Sequence, residues 1–229
     1  MPDLDTARRW WADGERAVAE ALQKLTDAEL RQPSPLPGWS RAHVVAHLAR
    51  NADALVNLCT WARTGVETPM YSSREVRDIG IETTAEFPPE VLRADFRDAV
   101  ARLAEAAAVL PEDAWSRPIR TFQGKPIEAR EIPWMRAKEL WVHGVDLDAG
   151  LSFDDVPADF LCALVDDVHA LFASRDQTPD VMLVARDVQR TWGSGSARLE
   201  GSVAAVAAWL TRGQTDGLTG EVPALPVWI

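Results

Sequence analysis

Four amphipathic helical patterns follow one another in the first 150 residues of this 229-residue chain. In each pattern apolar residues return at steps of three and four, the spacing that places them on one face of an α-helix. The patterns begin near residue 5, after the turn Leu36–Trp39 with Ser40 as N-cap, at Pro88-Pro89, and near Ile132. Four such helices in one stretch predict a four-helix bundle, whose sites are built from side chains that face its core.

Two features of this stretch fit a simple bundle less well. Gly14 stands within the apolar face of the first helix, where it lowers the helix propensity. Residues 64–87 and 111–127 form connections longer than a bundle requires. We expect these connections to cover one end of the bundle as functional lids, with disorder as the plain alternative.

The character of the sequence changes near Gly150. Residues 151–157 are predicted to be a linker, followed by a helix from Pro157 to about Ser174, one or two strands over 181–192, and a strand at 198–201. Ser202 is positioned to cap a final helix of small residues. The predicted fold class is therefore α+β, with a metal-binding helical bundle domain at 1–150 and a small α+β domain at 151–229 that contributes to an active-site cleft.

Composition restricts the partners and the location. The formal charge of −11 and the pI near 4.8 argue against a nucleic-acid partner, because no basic stripe offsets the acidity. No run approaches the ~18 apolar residues of a membrane span, and the N-terminus has no signal-like apolar core. We therefore expect a cytoplasmic monomer without a membrane partner. Cys59 and Cys162 are not in a Cys-x-x-Cys pair and are predicted to be buried, inert thiols.

The fourth helix carries a carboxylate in its apolar face. Glu139 falls at the spacing of Ile132 and Val142, and His143 follows one turn later, so the two polar side chains can converge. A buried carboxylate without a partner is costly, and a metal ion would account for both residues. An E-x-x-x-H pair alone is weak support for a metal site.

His47, beside the apolar face of the second helix, is the candidate third ligand. With Glu139 and His143 it forms a two-histidine, one-carboxylate set that suits zinc with an open position, although iron, nickel or manganese also fit. His43 lies one turn before His47, so a closed four-ligand structural site is the alternative. We favour a hydrogen-bonded or cleft-lining role for His43, because a catalytic site needs an open position.

Two further residues are candidates for a role in the site. Asp146 can orient a ligand histidine or be an ordinary polar helix end. Arg212, at the end of the last helix, can bind a substrate carboxylate or simply complement the helix dipole.

The chain has no nucleophile elbow, phosphate loop, dinucleotide fingerprint or activated cysteine. The nucleophile of a catalytic metal site must therefore be water or a molecule from outside.

Four segments together resemble the mycothiol-dependent maleylpyruvate isomerases, within the wider DinB-like metalloproteins. They are LPGWSRAHVVAHLARNADALVNL at 36–58, WARTGVETPMY at 61–71, PWMRAKELWVHGVDL at 133–147 and TRGQTDGLTGEVPALPVW at 211–228. The first and third are shared across many mycothiol-linked proteins. The TGVETPMY segment and the Arg212 region are narrower and favour the isomerases themselves.

The resemblance implies a zinc ion held by His47, Glu139 and His143, with the thiol of mycothiol as the nucleophile. It further implies that the thiolate adds to the cis double bond of maleylpyruvate, the bond rotates, and elimination of the thiol leaves fumarylpyruvate. Arg212 is implied as the catalytic and cofactor-binding arginine that contacts substrate or thiol; Thr211 precedes it where we expect glycine. The partners are then a small carboxylate substrate and a low-molecular-weight thiol.

Three functions follow from these observations. The first is a metal-dependent cis–trans isomerase of gentisate-type aromatic degradation. The second is a mycothiol S-transferase that attacks electrophilic small molecules. The third is a non-catalytic, metal-stabilised binding module in which His43 closes the site.

Overall fold

The computed structural model describes residues 1–226 as two compact units, Pro2–Leu151 and the segment from Ser152 onward. The first unit contains six α-helices: α1 Leu4–Lys24, α2 Asp27–Leu30, α3 Arg41–Thr64, α4 Arg74–Ala85, α5 Pro89–Ala108 and α6 Ile132–Asp146. The four long helices α1, α3, α5 and α6 are the four predicted from the sequence. Ser40 is the N-cap residue of α3, and α5 begins with Pro89, as predicted.

The bundle core lies between these helices. Helix α1 packs along α6, and α3 packs against α4, α5 and α6. The interior of α3 is almost entirely apolar, and it includes the fully buried Leu48, Leu55 and Leu58. Burying such a leucine side chain contributes about 1.5–3 kcal/mol, so this central helix anchors the unit through the hydrophobic effect. The two polar residues of α3 in this core are His47 and Asn51.

The two long connections are folded segments, and the alternative of disorder was wrong. Residues 64–87 contain α4, whose N-cap Ser73 accepts a hydrogen bond from the backbone N–H of Val76 at 3.1 Å. Residues 111–127 contain a 3₁₀ turn, Glu112–Ser116, and a hairpin of β1 Pro118–Arg120 with β2 Pro126–Glu128. The hairpin is antiparallel with Ile119 opposite Ile127, and both isoleucines are buried.

The second unit is a small α+β domain. It contains α7 Ala158–Ser174, β3 Val181–Ala185, β4 Arg190–Trp192, β5 Ala197–Gly201, α8 Val203–Arg212 and β6 Thr219–Gly220. The strand order is β4-β3-β5-β6, with β3 and β5 parallel and the outer pairs antiparallel. Helix α8 packs against α7 and against β3 and β5. The sequence predicted α7, α8 and the first three strands but not β6.

Three smaller expectations need correction or completion. The predicted linker contains a 3₁₀ turn, Phe153–Asp155, whose Phe153 is buried. Cys59 is buried as predicted, but Cys162 is partly exposed, and both cysteines are free thiols. Within residues 1–226, no helix combines the length and apolarity needed to cross a bilayer.

Candidate metal centre

His47 on α3 and Glu139 and His143 on α6 converge at one point. The Nε2 atom of His47 lies 2.9 Å from Oε2 of Glu139, and Nε2 of His143 lies 3.4 Å from the same oxygen. One ligand atom from each residue falls within 4.8 Å of the others. Tetrahedral zinc with bonds of about 2.0–2.1 Å separates its ligand atoms by roughly 3.4 Å, so the trio matches a metal site in size and chemistry.

Asp146 lies behind His143. Its Oδ2 atom is 2.8 Å from Nδ1 of His143, and the residue is 1% exposed. A carboxylate on one ring nitrogen holds the proton there and leaves the other nitrogen, Nε2, to present its lone pair to the cluster. The structure therefore places Asp146 as an orienting carboxylate and not as a solvated helix end.

The surroundings set the protonation of the cluster. Burial lowers the pKa of His47 despite its hydrogen bond to Glu139. Burial alone would raise the pKa of Glu139, but its contacts with His143 and His47 outweigh burial and hold that pKa well below its usual range. A neutral histidine and an ionised carboxylate are the forms that bind a metal ion. The pKa of His143 is raised, because the contacts with Asp146 and Glu139 outweigh burial.

Trp39 and His43 lie beside the cluster without joining it. The Trp39 ring centroid is 5.5 Å from that of His47 and 6.5 Å from that of His143, so the indole forms an aromatic wall. His43 contacts the hydroxyl of Ser40 through Nδ1 at 2.7 Å and the carboxylate of Glu82 through Nε2 at 3.1 Å. Both ring nitrogens of His43 are thus engaged elsewhere, which argues against a site closed by a fourth ligand.

A buried arginine supports the ligand helices from behind. Arg136, one turn before Glu139 on α6, is 0% exposed and donates to the backbone oxygen of Leu48 at 2.8 Å and to Oδ1 of Asn51 at 2.9 Å. Its Nε lies 3.7 Å from Oε1 of Glu15 on α1. Sequence reasoning missed Arg136 and Glu15. The available signal was Asn51, a polar residue in the apolar face of α3.

A second arginine, also missed, reaches the cluster from α4. The Nη2 atom of Arg77 lies 3.5 Å from Nδ1 of His47, on the opposite side of that ring from Glu139. Tyr71, at the end of the TGVETPMY segment, lies next to Arg77, whose positive charge opposes the rise in the Tyr71 pKa. Burial, together with the charge of Glu139, raises the pKa of Tyr71 to about 12, so the phenol stays protonated at neutral pH. No periodic pattern points to this pair, because the segment before α4 is irregular.

Arg212 is the last residue of α8 in the second unit. Its Nη1 atom donates to the backbone oxygen of Thr211 at 2.8 Å. Thr211 lies within the helix, and its hydroxyl donates to the backbone oxygen of Ala207 at 2.8 Å. The left-handed glycine of this terminus is Gly213, one residue after Arg212, with φ +68°.

Comparisons with known proteins agree with this geometry. The model of the family described as "Mycothiol maleylpyruvate isomerase N-terminal domain" matches residues 11–148, which include all three residues of the cluster. A crystal structure of a mycothiol-dependent maleylpyruvate isomerase superposes with a TM-score of 0.94 at 34% identity, covering 100% of this chain and 98% of the other. A histidine-to-alanine mutant of such an isomerase gives the same values.

The curated relatives are more distant. Two uncharacterized proteins of Mycobacterium tuberculosis are 29% identical over 124 residues, which is 52% of this chain and 46% of each relative. The chain thus spans about half the length of the curated relatives that it matches. The family model and the solved structures together decide the assignment: this chain belongs to the mycothiol maleylpyruvate isomerase family.

Proposed function

We propose that this protein is a zinc- and mycothiol-dependent isomerase that converts maleylpyruvate to fumarylpyruvate at the His47–Glu139–His143 cluster. One observation carries the proposal: the chain matches a crystal structure of a mycothiol-dependent maleylpyruvate isomerase over its whole length. The convergence of three suitable ligand side chains in the matching domain supports it. We propose that the thiolate adds to the cis double bond, that the former double bond then rotates, and that the thiol is finally eliminated.

The cluster fits a divalent metal ion by its donor set. His47, Glu139 and His143 would hold the ion, and three protein ligands are typical of catalytic rather than structural zinc. When bound, the ion supplies the ionisation of a coordinating thiol near neutral pH. Two imidazoles and one carboxylate favour zinc, although this donor set also accepts iron, nickel or manganese.

The side chains around the cluster have separate tasks in this proposal. Asp146 holds the tautomer of His143, and the Trp39 ring shields one side of the cluster from water. Arg212 is proposed to contact substrate or thiol. No cysteine of the chain supplies the thiolate, because burial raises the pKa of Cys59 to about 12 and also raises that of Cys162. An external thiol therefore fits better than an internal nucleophile.

The test combines metal analysis with an activity assay. We expect the purified protein to contain about one zinc per chain, and maleylpyruvate, followed by its enol absorbance, to be consumed only when mycothiol is present. The variant His47→Ala should lose both metal and activity. His43→Ala, one turn earlier on α3, is the matched control and should keep its metal.

The outcomes separate the three functions. If His47→Ala keeps both its zinc and full isomerase activity, the assignment of His47 to the metal site is wrong. Conjugation of mycothiol to an electrophile without loss of maleylpyruvate identifies an S-transferase, and loss of zinc in His43→Ala identifies a closed structural site. The cytoplasmic location and monomeric state of the protein stay predictions.

A further inference from the structure

The segment before α4 places a tyrosine and an arginine next to the metal cluster. Asn57 on α3 donates to the backbone oxygens of Pro69 and Met70, at 3.2 and 3.3 Å, and so holds the end of the TGVETPMY segment against the bundle. Tyr71 then packs edge-on against Phe122, with ring centroids 5.2 Å apart. This packing holds Tyr71 close to Arg77, whose positive charge acts on the phenol.

Arg77 has donors available on the site side. Asp78 contacts Nη1 at 2.7 Å, and the 3.5 Å contact of Nη2 with His47 is at the limit of hydrogen-bond length. A guanidinium has five N–H donors in a planar fork. The guanidinium can therefore donate hydrogen bonds to a carboxylate while it stays in contact with Asp78 and next to Tyr71.

Exposure and partners together distinguish Arg77 from two other arginines of the bundle unit. Its side chain is 23% exposed, whereas Arg136 is 0% exposed and is committed to Leu48 and Asn51. Arg50 on α3 is engaged by Asp95 and Asp53. Of these three arginines, Arg77 is the one that both contacts the cluster and has a partly exposed side chain.

We propose that Arg77 binds a carboxylate of the dicarboxylate substrate beside the His47–Glu139–His143 cluster, with Tyr71 as the residue that positions its guanidinium. The substrate class rests on the proposed function, since maleylpyruvate is a dianion that carries one carboxylate on the cis double bond. Arg77 fixes that end of the molecule relative to the cluster. The TGVETPMY segment then serves to place Tyr71, and through it Arg77.

The experiment measures the binding of maleate, a short cis-dicarboxylate, to the metal-loaded protein without thiol, so that no reaction follows. Calorimetry of Arg77→Gln should give affinity about 10- to 100-fold below that of the wild type, the loss expected when hydrogen bonds to a charged group are removed. Arg77→Lys keeps the charge and should recover part of the loss. Arg74→Gln is the matched control, since Arg74 is exposed one turn earlier on α4, and it should bind maleate as the wild type does.

Two further readouts separate carboxylate binding from a structural role. Zinc content should be the same in the wild type and Arg77→Gln. The wild type should prefer maleate to maleamide, its uncharged diamide, and Arg77→Gln should lose most of that preference because only maleate has a carboxylate for Arg77 to bind. A merely structural defect would weaken both ligands alike. In turnover assays the variant should raise KM more than it lowers kcat, because binding of the carboxylate is common to ground and transition states. Tyr71→Phe should give a smaller change in the same direction.

Failure of this inference is distinct from failure of the proposed function. Unchanged maleate affinity in Arg77→Gln, or no binding of maleate to the wild type, overturns the role of Arg77 even if maleylpyruvate is isomerised. Loss of maleate binding in Arg77→Gln supports the role of Arg77 even if the wild type does not isomerise maleylpyruvate. Equal loss of affinity for maleate and maleamide, or loss of zinc, also overturns the role of Arg77.

Discussion

At the scale of single residues, the bundle carries a partly buried ion pair beside the candidate metal ligands. Glu15 accepts a hydrogen bond from the indole of Trp11 at 2.6 Å and faces Arg136 at 3.7 Å. Arg136 in turn ties α6 to α3 through Leu48 and Asn51. Because Glu139 and Arg136 are one turn apart on α6, this network fixes the helix that carries two of the three ligands.

We predict that Arg136→Met lowers the free energy of unfolding by about 3–5 kcal/mol, because it leaves the Glu15 carboxylate buried without a cation. The double variant Glu15→Gln/Arg136→Met should recover part of this loss, since neither charge then remains. Urea denaturation of the two variants and the wild type, all in the metal-free form, measures the difference. A double variant less stable than Arg136→Met would contradict the assignment of the pair.

The same pair predicts a pH dependence. Burial raises the pKa of Glu15 and the charge of Arg136 opposes that rise, so Arg136→Met should raise the pKa further. A raised carboxyl pKa favours the folded state while the group is protonated, and this stability is lost as the pH rises through the folded pKa. The deficit of Arg136→Met should therefore be larger at about pH 8 than at about pH 5. A deficit of the same size at both pH values, measured by urea unfolding, would refute this explanation.

At the scale of secondary-structure elements, two glycines lie where α1 and α6 approach each other. A Cβ atom on Gly14 would lie 3.1 Å from both Cβ of Leu140 and Nε1 of Trp141, and one on Gly144 would lie 3.2 Å from a methyl of Val18. The indole of Trp141 also donates to the backbone oxygen of Trp10 at 2.9 Å. Gly14, which weakened the helical pattern in the sequence, is therefore used for close packing.

A pair of glycine substitutions tests this packing. Gly80→Ala in α4 should stabilise the protein by about 0.5–1 kcal/mol, because a Cβ there meets Arg50 no closer than 3.9 Å and alanine favours helix. Gly14→Ala gains the same propensity but must displace α6, which costs about 1–3 kcal/mol. We expect Gly14→Ala to be at least about 1 kcal/mol less stable than Gly80→Ala in thermal or urea unfolding. Equal stabilisation by both would show that α1 and α6 have room between them.

The long helices were predictable because each combines a periodic apolar face with a local start signal. The turn Leu36–Trp39 has proline second and glycine third, and the structure shows Gly38 at φ +80° and the Trp39 N–H bonded to the Leu36 oxygen at 3.1 Å. Helix α4 was missed because Val76 and Ile79 are exposed, so its apolar residues mark no single buried face. The edge strand β6 has two residues, too few to show alternation.

The candidate site was predictable to the same extent as its helices. Glu139 and His143 share one helix face, and the spacing alone brings them together. Arg77 and Tyr71 could not be found in this way, because Tyr71 lies in an irregular segment and Arg77 lies on a helix whose apolar residues mark no single buried face. Arg136 was hidden for another reason: a sequence does not reveal which arginine is buried until tertiary contacts are known.

At the scale of the whole molecule, the metal cluster and its described supports belong to one unit. His47, Glu139, His143 and Asp146 all lie in Pro2–Leu151, whereas Arg212 lies in the other unit. A domain of about 150 residues buries roughly 68–70% of the surface of its unfolded chain and can have a stable core of its own. We therefore expect the first unit to bind metal by itself, whereas catalysis should also require Arg212 of the second unit.

We predict that a fragment comprising residues 1–151 folds and binds about one metal ion but does not isomerise maleylpyruvate, because it lacks Arg212. A metal ion that binds the folded state alone raises stability by RT ln(1 + [L]/Kd), so a chelator should lower the Tm of the fragment and of the full chain alike. The full-length variant Arg212→Gln is the matched control, and it should keep its metal while losing most of its activity. An active fragment would remove the second unit and Arg212 from the reaction, and a folded fragment without metal affinity would mean that the cluster needs a residue beyond Leu151.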